Sequence, residues 1–184
     1  MHHFDLATLE AGLAHVRAAP ATDGVVELIV RRPKAGEREV CESASLDEAE
    51  GLVGDCWRAR GSRHTLDGSA EPERQLTIMS SRAIALMAAS VDQWPLAGDQ
   101  LYVDLDLSEA NLPAGVRVAV GDAIIEISSK PHTGCAKFRA RFGADALRFV
   151  NSPDGRALRL RGVNGRVVRS GAVRAGDAVR RIGA

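Results

Sequence analysis

The stretch LYVDLDL, Leu101–Leu107, alternates apolar Leu101, Val103, Leu105 and Leu107 with Tyr102, Asp104 and Asp106. A period of two predicts a strand with one buried face and one wet face. Working outward, Val116–Val120 and Ala123–Ser129 read as two strands joined by Gly121-Asp122, a pair suited to a tight hairpin. Upstream, VVELIVRR at Val25–Arg32 is rich in β-branched residues and reads as the first strand, and QLTIMS at Gln75–Ser80 as a short one. Ser80 or Ser81 would cap the following helix, SRAIALMAAS. Downstream, Arg156–Arg161 and Arg166–Ser170 flank an Asn164-Gly165 turn, and Ala178–Ile182 closes the chain. Many short strands joined by glycine turns, with few helices, predict a mostly-β, barrel-like α+β domain.

Two segments stand apart from this strand pattern. Leu6, Leu9, Leu13 and Val16 recur at helical spacing before Pro20, so Asp5–Ala18 reads as an amphipathic helix. Residues 1–24 are therefore expected to form a helical extension, and residues 25–182 the barrel domain. Between the turn-like GLVGD of Gly51–Asp55 and the strand at Gln75, the stretch Arg58–Pro72 has no periodicity. A long aperiodic segment of this kind is more often functional than idle, and a wall of the site is expected there.

The 184 residues suffice for one domain with a proper core. A content of 45% hydrophobic and 26% charged residues is ordinary for a soluble globular protein. No apolar run approaches the roughly 20 residues needed to span a bilayer, and MHHFDLATLEAG lacks the pattern of a signal peptide. These features predict a cytoplasmic protein without a membrane partner. Cys41, Cys56 and Cys135 are an odd number at wide spacings, which argues against a disulfide framework or a zinc cluster.

A net charge of zero conceals an asymmetry. Residues 1–129 hold 11 basic and 21 acidic side chains, whereas residues 130–184 hold 13 and 3. Two readings follow: halves that neutralise each other within one domain, or a cationic pocket for an anionic small molecule. Only 4% of residues are aromatic and no DNA-reading motif occurs, so no specific nucleic-acid partner is expected.

The cationic portion opens with KPHTGCAKFRARFG, Lys130–Gly143. Phe138 and Phe142 stand four apart, as on one helix face, and Gly143 is a natural helix terminator. Cys135 then lies near a helix start beside Lys137, Arg139 and Arg141, surroundings that favour thiolate over thiol. The alternative is a small buried hydrophobe, since free cysteine is among the most buried residue types. His132, three residues earlier, reads as a proton relay, an anion contact or a structural hydrogen-bonding group.

The ordered set GLVGD, RQLTIMS, AGDQLYVDLDL, VAVGDAIIEIS and PHTGCAKF resembles the MOSC domain, the module at the C-terminus of molybdenum cofactor sulfurases and in small stand-alone proteins. The resemblance runs from about Val25 to Ile182. It implies a mixed-strand β-barrel, binding of molybdenum cofactor (molybdopterin), and a cysteine that ligates molybdenum or carries sulfur as a persulfide. On that resemblance Cys135 takes the family's cysteine position, as catalytic cysteine and metal ligand; His132 is read as its catalytic companion from its place three residues before it. Asp55, Arg74, Gln75, Asp99, Gln100, Lys137 and Arg139 would bind the cofactor. Asp99-Gln100 replaces the family's Glu-Asn, which keeps one acid and one amide.

Two activities are implied. One is a small molybdoenzyme reducing N-oxygenated compounds, and the other a persulfide carrier delivering sulfur to molybdenum or metal-sulfur sites. Either needs a redox or sulfur-donor protein partner. The pyridoxal phosphate chemistry of the sulfurases belongs to a separate domain with no counterpart in these residues. The phosphate and dithiolene of molybdopterin call for cations and a soft sulfur ligand, and this region offers both.

Overall fold

The structure, a computed structural model, describes residues 3–182. Seven strands close a mixed barrel in the order β11 (Ala178–Ile182), β7 (Arg117–Val120), β8 (Ala123–Ile127), β9 (Val163–Arg169), β5 (Leu76–Ser80), β6 (Leu101–Asp104) and β1 (Asp23–Arg31). Closure comes from antiparallel pairing of β1 with β11, through Asp23–Arg180 and Val25–Ala178. All neighbours are antiparallel except β5 and β6, whose parallel register sets Ile78 beside Leu101. The short β2 (Glu39–Cys41) extends the sheet from β1, and β3 (Ser43–Asp47), β4 (Gly51–Leu52) and β10 (Gly171–Arg174) form a second small sheet.

Alternation along these strands builds two cores rather than one. Val26, Ile29, Ile78, Leu101, Val103, Ile125, Val167 and Val179 fill the barrel. The alternate residues Val30, Met79 and Tyr102 face outward into a second cluster with Leu9, Ile84, Met87, Trp94, Phe138, Phe142 and Phe149. The expectation of a wet face on Leu101–Leu107 therefore fails at Tyr102, which is fully buried and donates its hydroxyl to Trp94 O at 2.6 Å. Only further along does that face turn polar, where Asp104 pairs with Arg82 at 2.6 Å.

Helices cover this outer face. The leading amphipathic segment is two short helices, α1 (Leu6–Ala11) and α2 (Leu13–Arg17), and its Leu9 and Val16 are buried in the second core. At the join, Gly12 packs so closely on Leu86 that a Cβ would stand 2.3 Å from its Cδ2. Ser80 caps α4 (Ser81–Met87), accepting from Ala83 N. After α3 (Trp57–Arg60), two 3-10 turns, Pro72–Arg74 and Val91–Ala97, frame β5 and lead into β6.

Downstream, one local expectation holds and two are overturned. Gly143 ends the first helical stretch of α5 (Ala136–Asn151) as expected, its backbone being non-helical at φ 94, and a second stretch follows beyond the kink. Beyond the kink Ala146, Phe149 and Val150 resume helical spacing and bury against the same core. The segment read as a strand over Arg156–Arg161 is instead the end of α6 (Pro153–Ala157) followed by a turn. Asn164-Gly165 is no turn either: both lie within β9, where Gly165 pairs with Leu76 and Ile127. The glycine serves close approach, since a Cβ there would stand 2.7 Å from Ile125 Cγ2.

Candidate functional site

The loop between β8 and α5 carries the candidate cysteine. Cys135 is the N-cap residue of α5, in extended conformation, and its exposed side chain makes no capping bond. The loop is strapped to the far end of the helix, where Asn151 Oδ1 accepts from Gly134 N at 3.0 Å and Asn151 Nδ2 donates to Gly134 O at 3.2 Å. Gly134 is needed for this approach: a Cβ there would stand 2.7 Å from Leu147 Cδ1. The Gly134 N–H is thus committed to Asn151. Cys41 and Cys56 are half-buried.

Two clefts converge beside this helix start. The first, about 520 Å3, is lined by Trp57, Arg60, Arg63, His64, Arg74 and Lys137, with Glu71. The second, about 400 Å3, is lined by Arg32, Lys34, Arg38, Cys56, Arg60 and Arg141, again with Lys137. Arg60 and Lys137 border both. Eight arginines and lysines thus face one acid, Glu71. Burial lowers the pKa of Arg38, and the neighbouring charges of Arg141 and Arg32 lower it further. Within the described residues Arg60, Arg63 and Lys137 form no ion pair. Arg32, Lys34 and Arg74 are countered by Asp55, Glu37 and Glu71, which leaves Arg38, Arg60, Arg63, Lys137 and Arg141 without a carboxylate partner among the described residues and the surface strongly cationic.

The other sequence-selected residues fall into two groups. Lys137 and Arg74 line the first cleft, and Arg74 also donates to Pro131 O at 3.2 Å, tying that cleft to the cysteine loop. Arg139 is exposed and lines neither cleft. Asp55, Gln75, Asp99 and Gln100 lie beneath the surface as braces. Asp55, sealed from solvent, accepts from Arg32 Nε at 2.7 Å, from Arg32 Nη2 at 2.9 Å and from Trp57 N at 2.9 Å. It thereby holds Arg32 toward the second cleft and anchors the start of α3, which presents Arg60.

Gln75 donates to Glu48 O and accepts from Val167 N; Gln100 accepts from Thr77 N and donates to Gln75 O. Both amides therefore bind strands and turns together.

Asp99 is bound to Arg161, whose Nη1 donates to Asp99 Oδ2 at 2.6 Å and Nη2 to Ala97 O at 2.9 Å. The guanidinium lies over the Phe138 ring, 5.0 Å from its centre. His132 Nδ1 stands 3.5 Å from Asp99 Oδ1. Burial, and next the Arg161 charge, push the His132 pKa down to about 3, so the imidazole is neutral near pH 7.

Arg161, Arg32, Arg38 and Asn151 were missed by sequence reasoning. Arg32 alone carried a signal, as a cation closing an apolar strand run. No group of three or more His, Cys, Asp or Glu is arranged to hold a metal ion among the described residues. No helix among them is long and apolar enough to cross a membrane.

Comparison with known proteins agrees with this architecture. The sequence profile of the MOSC domain matches residues 64–180. No curated protein sequence matches. Among solved structures, the YuaD protein of Bacillus subtilis superposes with a TM-score of 0.63 at 18% identity, covering 85% of this chain and 94% of that one. YiiM of Escherichia coli gives 0.57 at 20% identity, covering 87% and 70%. YiiM of Geobacillus stearothermophilus gives 0.57 at 14%, covering 88% and 75%.

Proposed function

This chain belongs to the MOSC domain family, and on that footing we propose that it binds molybdenum cofactor and reduces N-oxygenated compounds. The observation that carries the reading is the pair of cationic clefts meeting at Lys137, two residues beyond the exposed Cys135. The residues fit the group. Arg60, Arg63, Arg74 and Lys137 would hold its phosphate, arginine forks being matched to phosphate oxygens. Cys135 would supply the soft thiolate ligand that molybdenum prefers over oxygen donors alone.

When bound, the cofactor supplies two-electron oxygen removal, turning an N–OH group, with two electrons and two protons, into N–H and water. The chain's own residues do the rest. Asp55 fixes Arg32 and α3, Arg74 ties the phosphate cleft to Pro131, and Asn151 holds Gly134 so that Cys135 keeps its place at the helix start. Preorganised cations of this kind lose little on binding, because their cost was met in folding.

The test is expression in a host that makes molybdenum cofactor, followed by assay of metal and released pterin. Stoichiometric molybdenum, lost in Cys135→Ser with the fold intact, supports the reading. The exposure of Cys135 favours a second one, a persulfide carrier, because a partner protein can reach its sulfur directly. A labile cysteine-bound sulfur without molybdenum would establish that alternative.

A further inference from the structure

On the other side of the cysteine loop lies a third pocket, about 290 Å3, lined by Ser128, His132, Thr133, Arg159, Val163 and Asn164, with Lys130, Arg156 and Glu109 also bordering it. Its electrostatics differ from those of the clefts. Lys130 faces Glu71 and Glu73 at 3.8 and 3.4 Å. Arg156 donates to Asn151 O, and Arg159 donates to Leu112 O. Glu109 adds a carboxylate that acts on Arg159. With Lys130 countered by Glu71 and Glu73 and Arg159 by Glu109, this pocket carries much less unbalanced charge than the clefts and suits a neutral polar molecule, just below the usual size of ligand sites, about 300–1,000 Å3.

Beneath it lies a cluster whose hydrogen bonding is incomplete. Asp99 Oδ1, His132 Nδ1 and Arg161 Nε are each sealed from solvent without a partner. Unsatisfied buried polar atoms are rare and costly, so three in one place require a reason. Arg161 fixes the other oxygen of Asp99, leaving Oδ1 turned to the imidazole. A neutral imidazole carries one proton, and Nδ1 facing a carboxylate takes it, since two lone pairs there would repel. The ring's other nitrogen, Nε2, then has a free lone pair and no partner among the described residues.

We propose that Arg161 and Asp99 are positioning residues that hold His132 as its Nδ1-protonated tautomer, so that Nε2 accepts a hydrogen bond from a small neutral ligand with an N–H or O–H group in this pocket. The N-oxygenated compounds of the proposed function belong to that chemical class, and in this sense the inference rests on that reading. Ligand binding shortens the 3.5 Å Nδ1–Oδ1 separation and completes the bond that the resting structure leaves open.

The experiment uses the full chain as purified and the probe benzohydroxamic acid, with N-methoxy-N-methylbenzamide, which lacks both donors, as control. Nitrogen-15 imidazole spectra should show His132 protonated at Nδ1, and benzohydroxamic acid should shift the Nε2 signal while the control does not. His132→Asn retains a donor at the Nδ1 position but loses the acceptor, and should weaken binding about tenfold. His132→Gln, which places its amide at the Nε2 position, should stay within a few-fold of the parent. Asp99→Ala should shift the proton toward Nε2, which a merely structural role for Asp99 would not do. Protonation at Nε2 in the parent, equal binding of the control, unchanged affinity in His132→Asn, or no response to the probe would overturn the proposal. Metal and pterin content is a separate measurement, so failure of the cofactor reading would be seen independently.

Discussion

Asp55 and Asp99 are both sealed from solvent and each holds an arginine, Arg32 and Arg161, but the two regions spend their hydrogen bonds differently. At Asp55 both oxygens are used, by the Arg32 guanidinium, by Arg32 N and by Trp57 N. At Asp99 one oxygen bonds to Arg161, and the other has no hydrogen-bond partner and stands 3.5 Å from a neutral imidazole. The same charged pair, equally buried, thus makes a finished brace beneath the cationic cleft and an unfinished one beneath the neutral pocket. A closed network fixes position, and an open one retains a valence for something else.

The comparison breaks most visibly under truncation. Asp55→Ala strands a buried guanidinium and two backbone donors and should cost about 3–5 kcal/mol, the range for halving a buried pair. Asp99→Ala should cost less, because Oδ1 has no partner to lose and Arg161 keeps Ala97 O and the Phe138 face. Urea unfolding of both variants decides this. If the two losses are equal, or Asp99 is the costlier, the distinction between the regions falls.

The next effect is smaller and depends on pH. The His132 imidazole, ordinarily near 6.5, is pushed down to about 3 by burial and by Arg161. Between those values the unfolded chain binds the proton and the folded chain does not, so acidification through that window favours unfolding. Stability should fall by about 1.4 kcal/mol for each pH unit below 6.5, and His132→Asn should flatten the slope. The window from 6.5 to 5 lies above the ordinary pKa of Asp and Glu side chains, about 4. A parent and variant with parallel profiles there would show that His132 opens to solvent.

What could be read from the sequence divides along similar lines. The barrel was legible because strand alternation is local: the Gly121-Asp122 hairpin, the Ser80 cap and the last strand at Ala178–Ile182 fall where the residues predict. The helix start at Cys135 was equally local. Tyr102 was misread because a period of two reports that two faces differ, not that one is wet; Trp94 and the covering helices dry it. Asn164-Gly165 misled because glycine serves close strand packing as readily as a turn. Asp99, His132 and Arg161 flank β6, β8 and β9, which the order β8-β9-β5-β6 gathers in one part of the sheet, and no spacing rule joins them. The same holds for the cleft, where Arg32 and Arg38 of the β1–β2 connection meet Arg141 of α5.

The smallest expected effect on stability, and the sharpest on reactivity, concerns the cysteines. Cys135 is exposed at the N-cap of α5, whereas Cys41 packs partly against the barrel core and Cys56 sits half-buried in the second cleft. Alkylation requires a thiol that the reagent can reach, so limiting iodoacetamide at neutral pH should modify Cys135 first. Since Cys135 makes no capping bond, Cys135→Ser should change unfolding free energy by no more than about 0.5 kcal/mol, the range of surface substitutions. Peptide mapping after brief labelling and a urea midpoint settle both points. Faster labelling of Cys56 would move the reactive sulfur into the cleft lined by Arg32 and Arg38, and the cationic surface would then serve the thiol directly. A large loss of stability in Cys135→Ser would instead make that residue a structural part of the loop that Asn151 holds, and the assignment of a ligand role to its sulfur would fail on physical grounds.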